Sequence, residues 1–104
     1  MNDTQRVDLE LEVAEEMVAA RDAFFRMAST PEYKLIFDKM YFKDEAARLA
    51  MACVNPGLDE RQQRNMDNML KGPGVVFNFF NSIVSRGNAA EQSIDEHNSE
   101  EDSE

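Results

Sequence analysis

The first Gly or Pro in this chain is Pro31, so nothing in the residues before it breaks a helix. Apolar residues in that stretch recur at helical spacing. Val7, Leu11, Ala14, Val18 and Phe25 form one stripe, which Arg21 interrupts, and Val13, Met17, Ala20, Phe24 and Met27 form a second beside it. Asp8, Glu12, Glu15, Glu16 and Asp22 fall largely elsewhere on the wheel. A long amphipathic helix from about Arg6 to Ala28 is the firmest expectation, and an all-α fold follows from it.

Punctuation then divides the chain. Thr30 before Pro31 suits an N-cap with Pro at the first helical position, and Ser29 with Glu32 fits a capping box in the same place. A short helix to about Met40 carries Tyr33, Ile36, Phe37 and Met40 on one side. At Tyr41-Phe42-Lys43 the register breaks or the helix bends. Asp44 and Glu45 suit a fresh first turn, and Ala46, Leu49, Ala50, Cys53 and Val54 make the next stripe. Asn55-Pro56-Gly57 ends that helix, and Asp59 with Gln62 caps another. Lys71-Gly72-Pro73-Gly74 predicts one more break. The last helix, Val75 to Ile94, carries Val76, Phe80, Ile83, Gly87, Ala90 and Ile94 at alternating four and three spacing, with Gly87 weakening it. The expected architecture is a compact bundle of four to five short helices over residues 1–94. A disordered acidic tail, residues 95–104, is expected to follow it.

Charge narrows the partners. The formal net charge is −10, and DEHNSEEDSE at the C-terminal end has six acids and neither Lys nor Arg. Residues 29–74 hold seven acids and seven bases. A neutral middle between acidic ends lacks the basic face that neutralises phosphates, so direct nucleic-acid binding is not expected. A protein partner with a basic surface suits it better. No apolar run approaches a membrane span, and no basic start leads into an apolar stretch, so neither a membrane anchor nor a secretory leader is expected. One cysteine permits no internal disulfide and favours a reducing compartment.

Residues able to carry catalysis are poorly placed for it. His97, the sole histidine, lies in the acidic tail, and Ile94 stands where a Glu-x-x-His pair needs Glu. Gly72-Pro73-Gly74 is followed by Val75-Val76, where a phosphate loop requires Lys and then Ser or Thr. Cys53 shares a face with Leu49 and has no second Cys near it, so it reads as a small core residue and not a nucleophile. No catalytic, metal or cofactor residues are expected. The candidate partner-binding residues are the aromatics Phe77, Phe79 and Phe80, which cannot all point the same way on a helix, and the tail acids Glu100, Glu101 and Asp102. Core packing is the default for the aromatics, and contact with a partner or a second copy through the last helix is the alternative.

The segments YFKDEAARLAMA, NPGLDERQQRNMDNML and IVSRGNAAEQS supply an aromatic pair before an acidic turn, a Pro-containing corner and an Arg-Gly-x-Ala stretch. From Phe24 to Gln92 this pattern resembles small acidic helical proteins encoded beside head-assembly genes of tailed bacteriophages. Gly72-Pro73-Gly74 departs from it. The resemblance implies a non-enzymatic phage protein acting through protein contacts, as a minor virion component or assembly factor in the host cytoplasm or the virion. The alternative is a phage-encoded acidic inhibitor that imitates nucleic acid toward a host DNA-binding protein. No catalytic residue or cofactor comes with the resemblance.

Overall fold

The structure, a computed structural model, describes residues 2–102, with side chains for residues 2–100. Among them it is all-helical, with no strand. There are three continuous helices: α1 (Asp3–Ala28), α2 (residues 31–53) and α3 (Glu60–Asp102). They form two units. One joins α1 to the second half of α3, and the other comprises residues 28–79, with α2 and the first half of α3.

The local starts and stops follow side-chain chemistry. Asn2 and Gln5 exchange hydrogen bonds ahead of α1, the Gln5 amide donating to Asn2 Oδ1 at 2.8 Å and the Asn2 amide donating to Gln5 Oε1 at 3.1 Å. Thr30 is the α2 cap, its Oγ1 accepting from the Tyr33 amide at 3.1 Å, with Pro31 next in the chain. Asn55 Oδ1 accepts from the Gly57 amide at 2.9 Å and shapes the corner. Asp59 and Gln62 then form the expected capping box, with bonds of 2.8 and 3.0 Å.

Three expectations are corrected. The chain forms two helical pairs where one bundle of four to five short helices was expected. The break predicted within α3 does not occur, and of the break or bend expected within α2 the break does not occur. At Tyr41-Phe42-Lys43 the chain stays helical, and a π-helical stretch, Lys34–Glu45, occupies the middle of α2. Its i→i+5 turns bring Phe37 to ring-centroid distances of 6.3 Å from Tyr41 and 6.1 Å from Phe42. Tyr33 stacks on Phe37 from the other side at 5.0 Å. This aromatic row is the local reward for the wider turns.

Helix α3 also runs through Lys71-Gly72-Pro73-Gly74. A proline inside a helix loses one backbone bond and crowds the preceding turn, at a cost of about 3 kcal/mol. Tertiary packing opposes that cost. Pro73 is itself buried, and a Cβ on Gly72 would meet the Tyr41 hydroxyl at 3.4 Å. The third correction concerns the tail. Residues 95–102 continue α3 where a disordered tail was expected, while residues 103–104 lie outside the described residues. Ile94 and His97 are half-buried and line a cleft with Val7, Leu11 and Ala14 of α1. The tail thus brings one partly buried ring to the pairing, which the sequence reading assigned to solvent.

In the first unit the helices run antiparallel. Phe24 meets Phe80 at 5.0 Å, Arg21 meets Asn88 and Glu91, and Ala14 and Val7 lie beside Ile94 and His97. The approach is closest at Gly87. A Cβ there would overlap Arg21 Cβ and lie 2.8 Å from Arg21 Cδ. The second unit is also an antiparallel pair, with Phe42 edge-on to Phe77 at 5.5 Å and Cys53 beside Asp67.

The two glycines of α3 therefore make opposite predictions. Gly74 has open space around its missing side chain, so Gly74→Ala is expected to stabilise the fold by about 0.5–1 kcal/mol through helix propensity. Gly87→Ala gains the same propensity but overpacks against Arg21, and overpacking costs about 1–3 kcal/mol. Urea denaturation should show the midpoint rising for the first variant and falling for the second. Equal shifts would refute the close crossing.

Candidate functional site

The structure separates the three aromatics that sequence grouped together. Phe77 is half exposed and rests edge-on against Phe42 in the second unit. Phe80 is half-buried against Phe24 in the first unit. Phe79, between them, is 56% exposed. The division between units falls between Phe79 and Phe80. Glu100 is exposed on α3, and Glu101 and Asp102 lie within the same helix.

Apolar exposure is broader than the sequence suggests. Among the described residues the buried apolar side chains are Tyr33, Leu49 and Ala90, with Pro73. In the second unit Leu35, Ile36 and Met40 are each more than half exposed. The wide turns place Met40 one turn from both Leu35 and Ile36, so the three form a contiguous patch. Val75 and Phe79 on α3 are also more than half exposed. In the first unit Leu9, Val13 and Met17 follow one another at four-residue spacing along α1, each over a third exposed. Two-helix pairing explains this: each helix has one neighbour and therefore one covered strip.

A groove runs beside that α1 row. It is lined by Leu9, Val13, Ala14 and Met17 from α1 with Ala90 and Ser93 from α3, and by Glu10 as well. It continues into the cleft bounded by Val7, Leu11, Ile94 and His97, which shares Glu10, Ala14 and Ser93 with it.

The polar centre of the first unit went unseen in the sequence, where Arg21 counted as an interruption and Gly87 as a weakness. Arg21 is only 8% exposed. Its Nη1 donates to Glu91 Oε2 at 2.6 Å and to Asn88 Oδ1 at 2.9 Å, and its Nε donates to Asp22 Oδ1 at 3.1 Å. The hydrogen bond that Arg21 donates to Glu91, then that to Asp22, raises the guanidinium pKa above its ordinary value. An Arg in phase with one apolar stripe and a Gly in phase with another was the signal available. Arg21 acts as a positioning clamp between helices, and its donors are engaged within the unit.

Cys53 is half-buried. Burial pushes its thiol pKa up, and the charge of Asp67 and a hydrogen bond to it add to the effect. A thiol held protonated in this way is a poor nucleophile. Tyr33 is likewise raised, chiefly by burial and then by Asp38. Among the described residues no group of three His, Cys, Asp or Glu side chains is arranged to hold a metal ion, and no helix is long and apolar enough to cross a membrane.

No protein-family model, no curated protein and no solved structure matches the chain.

Because folding raises the Cys53 pKa, the pH at which thiolate-specific labelling accelerates should lie higher for the native protein than for the chain in urea. At a pH near the ordinary thiol pKa the native protein should therefore label more slowly. Stopped-flow disulfide exchange across a pH series measures both rates. A native rate equal to or above the unfolded rate would show a reactive cysteine.

Proposed function

We propose that this protein works by binding other proteins and not by catalysis, in a bacteriophage, as a minor virion component or assembly factor. The observation that carries the reading is the exposed patch of Leu35, Ile36 and Met40 on α2, with separate exposed apolar residues in each unit. Such surface on a monomer favours association, and Met in particular adapts to irregular partner surfaces. The phage setting rests on the sequence resemblance through YFKDEAARLAMA, NPGLDERQQRNMDNML and IVSRGNAAEQS. A protein with a basic surface is the partner expected, and a second copy of the chain is the competing one.

One observation favours the inhibitor reading as a rival. Residues 28–79 carry seven acids and seven bases, so the whole net charge of −10 belongs to residues 1–27 and 80–104, the first unit. Concentrated negative charge is what an imitator of nucleic acid presents to a DNA-binding protein. The two readings differ in where the protein is found. As an assembly factor or virion component it should be detected by mass spectrometry in purified virions or proheads of the phage that encodes it, and its deletion should lower the yield of filled heads. Absence from both particles, with normal head yield and a block in host DNA-protein binding, would favour the inhibitor.

A further inference from the structure

The two units differ in what their exposed apolar surface can accept. The second unit is electrically balanced. The first unit carries the whole net charge, so a second copy brought against it would meet like charge. A basic partner would meet opposite charge.

We propose that the groove beside α1 in the first unit receives a cationic amphipathic helix of a partner protein. The proposal rests on the protein-contact reading above and names the chemistry of the partner for one surface. Leu9, Val13 and Met17 give the groove an apolar wall at four-residue spacing, and Ala90 and Ser93 of α3 give it a floor of small side chains. Small residues facing a row of larger ones leave room for another helix to lay its apolar ridge between them. From Leu9 to Met17 the wall is about 12 Å long at the helical rise, enough for roughly two turns of a docked helix.

The charges around this groove select the partner. Glu10 lines it directly. Glu12 shares a surface depression with Leu9, and Glu16 stands three residues after Val13 on the same margin. On α3, Glu96 stands three residues after Ser93, and Glu100 follows it by four. Glu12, Glu16, Glu96 and Glu100 are all exposed. Arg86, four residues before Ala90, tempers the charge at one end. An apolar strip with carboxylates along its margins complements a helix whose Leu or Ile anchors are flanked by Lys or Arg.

The test uses the full-length protein and a fluorescein-labelled Leu/Lys peptide of about four turns, with all its leucines on one helical face. A permuted peptide of the same composition lacking that face, and a Leu/Glu peptide with it, serve as controls. The Leu/Lys peptide should bind at one site in moderate salt, shifting amide resonances of residues 9–17 and 90–93. Glu12→Lys with Glu16→Lys should weaken binding at least tenfold and flatten its salt dependence, with the circular dichroism spectrum unchanged. Val13→Asp should weaken it similarly, and if that variant fails to fold, the exposed double variant decides. Equal binding of the permuted peptide, resonance shifts elsewhere or indifference to the double variant would overturn the proposal. So would dimerisation abolished by Val13→Asp, which would make a second copy the occupant. Failure here with the protein present in virions would remove the groove assignment and leave the functional reading. Binding here with the protein absent from virions and proheads would do the reverse.

Discussion

The first unit depends on how closely two helices can cross, and that distance is set where Arg21 passes Gly87. With no side chain at Gly87, α3 approaches until the aliphatic stem of Arg21 fills the space a Cβ would take. The guanidinium then reaches Glu91 and Asn88 on the next turn while Asp22 holds it from its own helix. An arginine this buried is tolerated because its donors meet oxygen acceptors and its stem supplies apolar packing. Glu91 and Asp22 remain near solvent, which limits the desolvation that makes fully buried ion pairs costly. The crossing aligns the rest of the pair, from Phe24 against Phe80 at one side to Ala14 near Ile94 at the other.

Pairing helices two by two has a direct energetic consequence. A helix with one neighbour covers one strip, so the second apolar stripe of α1 remains partly open, and the same holds for Leu35, Ile36 and Met40 on α2. Small cores supply little stability, and the caps at Asn2, Thr30 and Asp59 each contribute about 1 kcal/mol of helix stability instead. The surface left uncovered is what the proposed contacts with other proteins would use.

Sequence disclosed the features governed by local chemistry. The all-α class, the Thr30 cap, the Asp59–Gln62 box and the corner at Asn55-Pro56-Gly57 are legible because each depends on residues within a few positions. Features decided at long range were not. Lys71-Gly72-Pro73-Gly74 carries strong break signals, yet burial of Pro73 and the approach of Tyr41 to Gly72 keep α3 whole. The acidic tail reads as solvent-exposed until His97 is seen beside α1. Spacing separated Phe79 from Phe77 and Phe80, but it did not reveal that Phe77 and Phe80 belong to different units. The stripe through Val13 and Met17 was visible in the sequence. That it stays partly open is a matter of how many helices surround α1, which periodicity does not encode.

The order in which residues leave the ribosome gives the unit boundaries a temporal meaning. Residues 28–79 are contiguous, so the second unit closes over short loops and its partners emerge together. The first unit joins positions as far apart in sequence as Arg21 and Glu91, and its loop closure waits for the last part of α3. Until then α1 is synthesised without its neighbour, with both stripes bare for most of translation. A nascent α1 in that state is a target for chaperones or for a binding partner already present. Its acidic residues then serve as gatekeepers, keeping the waiting helix from aggregating before its strand of contacts arrives.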